Sequence, residues 1–247
     1  LPTILDRCLR FCPSRKKSKM AIGKQIFIIA FVITFFIFST FLFVNAVMDD
    51  KRESQVETGM QEVTNKVIEI QTLLLLGEVY GEKMTCLIFR EKLQQLDSSL
   101  WKLGLKIDQY RRATESFQES PYYQQQKKIF NEQEVLYLSL LKKGRERCEF
   151  TTPIILFFYQ NSDDCDKCDD QSYILADINR KADEEVSIFS FDLDLNLTTV
   201  RLLNEYYSIP EYPCVVVEEK KMCAIQDYAT IVKTICDVTN ISLCNAT

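Results

Sequence analysis

The sequence predicts a C-terminal α/β domain preceded by one transmembrane helix and an α-helical, coiled-coil-like stalk. Three patterns predict it: an uncharged run of nineteen residues at 26–44, two apolar seams with helical spacing between residues 56 and 110, and alternating strand and helix patterns after Thr151. The predicted segments are a basic cytoplasmic N-terminus at 1–25, a transmembrane helix at 26–48, a three-helix extracytoplasmic stalk at 49–147 and the α/β domain at 148–247.

The apolar run at residues 26–44 is long enough to cross a bilayer, since nineteen residues at ~1.5 Å each nearly match a ~30 Å hydrocarbon core. Seven Lys and Arg residues precede the run, and Asp49 and Asp50 follow it. The positive-inside rule therefore places the N-terminus in the cytoplasm and the rest outside, with the lipid bilayer as a partner. A cleaved signal peptide is the alternative, because residues 44–46 offer a cleavage point, although such apolar cores run only ~7–15 residues.

Two apolar seams follow the span and predict two helices. The first seam is Val56, Met60, Val63, Val67, Ile70 and Leu74, and the second is Leu93, Leu96, Leu100, Leu103, Ile107 and Tyr110. Gly77 and Gly81 separate the two predicted helices. Packing of the stalk helices on one another is the economical interpretation, and a parallel homodimer through the first seam is the alternative.

A third stalk helix is predicted to begin at Pro121, with Ser120 as its cap. Its apolar face includes Ile129, Leu136 and Leu140. The stalk has sixteen basic and sixteen acidic side chains over residues 49–147 and no pattern that indicates chemistry. A spacer is the simpler interpretation of the stalk, and a client-binding surface is the other.

Eight cysteines follow the span, an even set in an oxidising compartment where disulfides persist. Folding the second and third stalk helices back about Pro121 brings Cys86 and Cys148 to the same end of a helical hairpin, so we expect a bridge between them. Three N-x-[ST] sequences agree weakly with an outside location and are candidate glycosylation sites: Asn196, Asn240 and Asn245.

After Thr151 the periodicity changes to that of an α/β domain. Residues 153–159 form a continuous apolar run that is typical of a buried parallel strand. The elements predicted next are a helix through 173–178, a strand at 186–193, a helix at 199–207, a hairpin with strands at 214–217 and 222–225, and a helix at 228–238.

A two-residue turn at 218–219 would place Cys214 opposite Cys223, close enough for a cross-strand disulfide. Glu-Glu is a poor turn pair, so the register of this hairpin stays open. Cys236 and Cys244 then pair by elimination, although eight cysteines permit many other connectivities.

Composition excludes several kinds of site. The chain has no histidine, which excludes Ser-His-Asp and Cys-His catalysis and histidine-ligated zinc or haem. It has six glycines and no glycine-rich nucleotide-binding motif, so we expect no cofactor. A metal site is also not expected, because one C-x-x-C without histidine supplies only two soft ligands. Residues 148–247 hold seven basic and eighteen acidic side chains, which repel phosphate backbones, so nucleic acid is not an expected partner.

Two motifs in the C-terminal domain resemble the thioredoxin-like fold superfamily. Cys165 and Cys168 form a C-x-x-C between a buried strand and a helix, and the stretch at 207–217 looks like the family's entry into a strand through a cis proline at Pro213. The resemblance covers about ninety residues. It implies that Cys165, at a helix N-terminus, attacks a disulfide and Cys168 resolves it, while Tyr212 and Pro213 hold the substrate backbone.

The sequence also departs from the family's pattern. Five Asp residues surround the cysteine pair with only Lys167 opposed, and nearby like charges disfavour a thiolate. Asp164 stands where many relatives have an aromatic residue, and residues 154–159 contain no acid for buried proton transfer. An inert structural disulfide is therefore the alternative to a redox-active pair.

Two functions follow from these patterns. The first is a membrane-tethered thiol-disulfide oxidoreductase that acts on disulfides of exported proteins and exchanges electrons with an unidentified redox partner protein. The second is a non-catalytic, disulfide-stabilised thioredoxin-like module used for binding or assembly. The first expects the Cys165 sulfur to emerge into solvent at the start of a helix, and a buried Cys165 favours the second.

Overall fold

The computed structural model describes residues 19–113, 120–161, 165–183 and 185–245. The chain divides into two compact units, Leu1–Glu53 and Ser54–Thr247. The helices are α1 (Lys19–Tyr80), α2 (Glu82–Ala113), α3 (Pro121–Cys148), α4 (Cys168–Lys181), α5 (Thr198–Tyr206) and α6 (Tyr228–Val238), with 3-10 turns at Leu193–Leu195 and Ser242–Asn245. The strands are β1 (Ile154–Tyr159), β2 (Ser187–Asp192), β3 (Cys214–Val217) and β4 (Lys220–Cys223). The described chain is therefore mostly helical, with one small mixed sheet.

In the first unit, α1 exposes apolar side chains along the predicted span. Phe27, Phe31 and Phe43 are each at least 70% exposed. Within the described residues, α1 is the one helix that is long and apolar enough to cross a membrane. Most of the predicted basic N-terminus, residues 1–18, lies outside the described residues.

In the second unit, both predicted seams are buried in one core. Val56, Val63 and Ile70 from α1, like Leu96 and Leu103 from α2, are each no more than 2% exposed. Polar side chains join the two helices beside this core, with Lys66 Nζ 2.6 Å from Ser99 Oγ, Lys92 Nζ 2.9 Å from Glu69 Oε1 and Tyr110 Oη 2.6 Å from Gln55 Oε1. The first seam thus packs within its own chain.

The break between the first two helices differs from the prediction. α1 runs through Gly77 and ends at Tyr80, and Gly81 alone separates it from α2. Gly81 has a φ of 104°, which a residue with a Cβ adopts only at a cost.

Helix α3 begins as predicted, with Ser120 Oγ accepting from the Tyr123 N–H at 3.1 Å and Pro121 in the first turn. The three residues predicted on its apolar face all contact the core: Leu140 is buried, and the half-buried Ile129 and Leu136 pack against it. The buried face also includes three polar side chains, Lys127, Asn131 and Glu134, together with Tyr123, Phe130, Tyr137, Leu138 and Leu141. A stripe with charged members has the sequence signature of a solvated face, so the apolar pattern did not indicate the burial of these polar side chains.

A disulfide joins Cys86 to Cys148, the pair that the helical hairpin predicts. Near this end Gly144 of α3 permits close approach to α2, because a Cβ there would collide with the ring of Phe89. The residues preceding Ser120 in the connection, 114–119, lie outside the described residues.

The sheet has the strand order β2-β1-β3-β4. β1 and β2 are parallel, while β3 runs antiparallel to both β1 and β4. β4 covers Lys220–Cys223, two residues earlier than predicted, and ends before Ala224, which has a φ of 62°. The register pairs Cys214 with Cys223, and these two residues form a disulfide as the predicted turn requires.

Glu218 explains how a Glu-Glu turn closes this hairpin. It has a φ of 55°. Its carboxylate accepts from the Ile154 N–H at 2.8 Å and from Arg145 Nη1 at 2.9 Å. Contacts with β1 and α3 thereby hold the turn in place. Turn propensities do not include these contacts, because they consider only the residues of the turn itself. A fourth disulfide joins Cys236 to Cys244.

The two faces of the sheet bury two separate cores. Leu156, Phe158 and Val216 point to the face that the stalk helices cover, and they share one core with the two seams. Ile155 and Val217 point to the other face, toward α4 and α6. The stalk helices therefore cover one face of the sheet. On that face, the stalk and the sheet share one continuous hydrophobic core.

The Cys86–Cys148 bridge should stabilise the fold more than the Cys236–Cys244 bridge. The first has a sequence separation of 62 and the second of 8. In the chain-entropy estimate, removing them costs about 4 and about 2.5 kcal/mol respectively. We expect this order in the free energy of unfolding of the full chain in detergent, comparing Cys86→Ser/Cys148→Ser with Cys236→Ser/Cys244→Ser by denaturant titration. Equal losses, or a larger loss for the short loop, would contradict it.

Candidate functional site

The predicted cysteine pair lies between β1 and α4 as a closed disulfide, with a Cα–Cα distance of 5.5 Å. The Cys168 N–H donates to the Cys165 carbonyl at 3.2 Å, and residues 166–167 form the turn. α4 begins at Cys168, with Lys167 before it. Cys165 therefore lies three residues, or about one helical turn, before the start of the helix. The prediction that Cys165 stands at the helix N-terminus is wrong by this distance.

Both cysteines are buried. Cys165 is 6% exposed and Cys168 is 3% exposed. The expectation that the Cys165 sulfur emerges into solvent is therefore not met. Exposures this low leave little surface at either cysteine for a protein thiolate, which must approach one sulfur directly to attack it.

The stalk contributes a charge that the sequence pattern did not assign to this site. Arg111 near the end of α2 places Nη2 3.1 Å from Asp169 in the first turn of α4 and 3.0 Å from Asp108 on its own helix. Beside it, the Arg112 guanidinium lies 4.5 Å from the centre of the Tyr173 ring. The end of α2 thus covers the start of α4 and offsets part of its acidity. Asp163 and Asp164 lie outside the described residues.

The Tyr212–Pro213 peptide bond is cis, as the resemblance to the thioredoxin-like superfamily implies. Pro213 directly precedes β3, and Phe158 near the end of β1 pairs with Cys214 at the start of β3. This pairing brings Pro213 to the end of the sheet where β1 leads into the cysteine pair. The Tyr212 hydroxyl is 3.0 Å from Asn204 Oδ1, so this group bonds within the chain.

The three predicted glycosylation sites have exposed asparagine side chains: Asn196, Asn240 and Asn245. Their modification stays a prediction. Within the described residues, no group of three or more His, Cys, Asp or Glu side chains is arranged to hold a metal ion.

A cavity of about 250 Å³ lies beside the cysteine pair, in the second unit. Its lining comes from α2, α3, β1, β2 and α4, and Cys168 is part of it. The walls are largely apolar and aromatic and include Leu100, Trp101, Leu105, Phe130, Tyr137 and Phe189. Sequence patterns did not identify this cavity, because its walls come from helices and strands that are distant in the chain.

The polar stripe of α3 lies against β2, which is an edge strand of the sheet. Asn131 Oδ1 accepts from the Asp192 N–H at 2.9 Å, and Glu134 Oε1 accepts from the Ser190 N–H at 3.0 Å. Lys127 pairs with the buried Asp192 carboxylate. Side chains of α3 therefore bind two N–H groups that an edge strand would otherwise leave without a neighbouring strand.

Glu134 is the exceptional member of this stripe. It is 5% exposed and lines the cavity. Burial raises the pKa of its carboxyl well above the usual range, and the hydrogen bond from the Ser190 N–H offsets this only in part. Among the described residues, its Oε2 atom has no hydrogen-bond partner. Glu134 therefore lines the cavity with a side chain whose Oε2 is buried and has no partner among the described residues.

Tyr137 forms another polar point on the cavity wall. Its hydroxyl donates to Asp97 Oδ1 at 2.9 Å. Burial, followed by the negative charge of Asp97, raises the pKa of Tyr137 well above its usual value, so the phenol stays protonated. The Asp97 carboxylate of α2 therefore already has a hydrogen-bond partner in Tyr137 of α3.

Comparisons with known proteins add little to this geometry. No family model and no curated protein matches the chain. A solved chain described as "Structure of a malarial protein" matches 35% of this chain and 97% of its own length, at 17% identity and a TM-score of 0.31. A similarity at that TM-score carries no argument about fold or function.

The buried Glu134 carboxyl should make stability depend on pH. Its folded-state pKa is raised, so its contribution is complete below the unfolded-state pKa and is lost as pH rises toward the folded-state pKa. Glu134→Gln keeps an oxygen for the Ser190 N–H and cannot ionise. We expect the free energy of unfolding of Glu134→Gln to rise relative to that of the wild type by about 1.4 kcal/mol for each pH unit between those two pKa values.

The measurement is the free energy of unfolding of both proteins at pH 5, 6, 7 and 8. Glu146, an exposed acid on the same helix, supplies the control variant Glu146→Gln, which should follow the wild type at every pH. Parallel curves for wild type and Glu134→Gln would show that Glu134 is ionised in the folded state.

Proposed function

We propose that this chain is a membrane-tethered, extracytoplasmic binding module of thioredoxin-like type, in which the Cys165–Cys168 disulfide is structural rather than catalytic. The observation that carries the proposal is the burial of both cysteines, at 6% and 3% exposure, in a closed disulfide. An oxidoreductase of this type needs a sulfur that a protein substrate can reach.

The thioredoxin-like assignment is supported by topology. Strand, helix, strand, helix, hairpin and helix follow one another from β1 to α6, and the sheet order is β2-β1-β3-β4. The C-x-x-C follows β1, and the cis Pro213 precedes β3 at the same end of the sheet. These features agree with the resemblance that the two sequence motifs suggest.

The location is supported by charge and by cysteine chemistry. Seven basic residues precede the apolar segment of α1 and acidic residues follow it, which favours a cytoplasmic N-terminus. Four disulfides lie in the second unit, and disulfides persist in oxidising compartments. We therefore infer that the second unit stands outside the membrane and that α1 anchors it.

One observation favours the competing function, an oxidoreductase that acts on disulfides of exported proteins. Cys168 and the buried acid Glu134 line the same cavity. A carboxyl with a raised pKa that lines the same cavity as a resolving cysteine is suited to exchange a proton with its sulfur when the two groups come within hydrogen-bond reach. In that case Cys165 would attack, Cys168 would resolve, and a separate redox protein would restore the pair.

Disulfide reduction separates the two functions. We expect dithiothreitol-driven reduction of insulin by the full chain in detergent to proceed at the same rate with wild type and with Cys165→Ser, because the wild-type sulfur is shielded. A thioredoxin assayed in parallel shows that the assay responds. A wild-type rate above that of Cys165→Ser would instead establish the oxidoreductase.

A structural disulfide must also contribute to stability. We expect Cys165→Ser/Cys168→Ser to lower the free energy of unfolding by about 1–2 kcal/mol, because the closed loop is short. Denaturant titration at one pH measures the change. A double variant as stable as the wild type would remove the structural role.

A further inference from the structure

We propose that the cavity between α2, α3, the sheet and α4 is a binding site for a small, uncharged, mainly apolar molecule, one aromatic or aliphatic ring in size, that carries an oxygen acceptor for Glu134. This inference rests on the proposed binding function and gives it a ligand class. Its four supports are the size of the cavity, its walls, the unpartnered atom of Glu134 and the pairing of the surrounding charges.

The size of the cavity sets the size of the ligand. An engineered apolar cavity of ~150 Å³ in another protein holds benzene. The present cavity, at about 250 Å³, admits a ring with one or two short substituents. Leu105 on its wall is 48% exposed and Trp101 is half-buried, so the cavity reaches solvent along α2.

The walls set the apolar character. Trp101, Phe130 and Phe189 present ring surfaces, and Leu100 adds an aliphatic one. Ligand sites combine such walls with a few fixed polar groups that orient the ligand. Here the fixed polar group is on α3, a helix held to the sheet at both Asn131 and Glu134.

Glu134 sets the position of the ligand's polar atom. Its Oε1 is held by the Ser190 N–H, and its Oε2 has no hydrogen-bond partner among the described residues and almost no exposed surface, so a ligand reaches Oε2 only by displacing the atoms that cover it. A buried polar atom without a hydrogen bond is unfavourable, and an acceptor on a bound molecule would relieve it. Burial raises the pKa of this carboxyl and so favours its protonated form, which donates, and a hydroxyl, ether or carbonyl oxygen suits it.

The neighbouring charges exclude a charged ligand, because they already have partners. Lys127 pairs with Asp192, and Arg111 pairs with Asp108 and Asp169. The remaining charged side chains on the wall are also bonded, Asp97 to Tyr137 and Arg112 to Asp108. A charged molecule would lose its hydration here without gaining a free counterion from the described residues.

The test uses three probes of the same shape that differ in one group: benzyl alcohol, ethylbenzene and benzylamine. Trp101 is the single tryptophan of the chain and lines the cavity, so its fluorescence reports occupancy directly. The full chain is titrated in detergent at pH 7, and partition of each probe into micelles is common to wild type and variants. We expect saturable responses with benzyl alcohol and ethylbenzene and none with benzylamine.

Variants at residue 134 test the hydrogen bond. Glu134→Gln keeps an acceptor for Ser190 and a donor toward the cavity, so benzyl alcohol should bind within about twofold of wild type. Glu134→Met removes both, so benzyl alcohol should bind about fivefold more weakly while ethylbenzene binding does not weaken. A loss that is equal for the two probes would overturn the role of Glu134.

A cavity-filling variant keeps the test decisive if Glu134→Met does not fold. Ala176 of α4 is half-buried and lines the cavity. Ala176→Phe should abolish the saturable response to every probe, and Ala229→Phe, at an exposed position of α6, is the matched control. The absence of a saturable response in wild type, its persistence in Ala176→Phe, or tighter binding of benzylamine than of benzyl alcohol would each overturn the proposal.

Two combinations of results distinguish failure of the ligand site from failure of the proposed function. If wild type reduces insulin faster than Cys165→Ser but also binds benzyl alcohol saturably, the non-catalytic function fails and the ligand site stands. If wild type is inactive on insulin and shows no saturable probe binding, the ligand site fails and the non-catalytic module stands.

Discussion

The contact between α3 and the edge strand β2 holds this structure together. Two backbone N–H groups of β2, at Ser190 and Asp192, donate to Asn131 and Glu134 of the helix, and Lys127 pairs with the Asp192 carboxylate. An edge strand normally exposes such groups to other chains. Here a helix from the stalk takes the place of a neighbouring strand, which joins stalk and sheet in one interior and buries the Glu134 carboxyl within it.

That contact determines the surroundings of the cysteine pair. With α3 fixed on β2 and α2 packed on α3, the end of α2 reaches the first turn of α4, where Arg111 meets Asp169. Cys168 then lines a cavity rather than an open surface. The same motif that suggests redox chemistry in isolation therefore lies among packed elements, and access to sulfur governs thiol exchange.

The stalk is consequently more than a spacer before the α/β elements. Its helices cover one face of the sheet, and its Cys86–Cys148 bridge ties the start of α2 to the end of α3. The cavity and its polar group belong to the interface that these helices form with the sheet. A binding role for the second unit would thus depend on stalk and α/β elements together.

The sequence by itself determined the features that depend on neighbours along the chain. The apolar run, the two seams, the Ser120 cap, the order of strands and helices and the bounds of α6 follow from local periodicity. The Cys214–Cys223 pairing follows from one turn, and the Cys86–Cys148 pairing from one helical hairpin. The family resemblance led to the cis bond before Pro213.

Only the tertiary structure decided what covers the site. The contacts of Glu134 with Ser190 and of Arg111 with Asp169 join residues 56 and 58 positions apart, so no periodicity encodes them. Lys127, Asn131 and Glu134 follow the spacing of a solvated helix face, and they are buried because an unpaired strand edge supplies their partners. For the same reason the exposure of Cys165 could not be predicted, since burial is a property of all the packed elements and not of the motif.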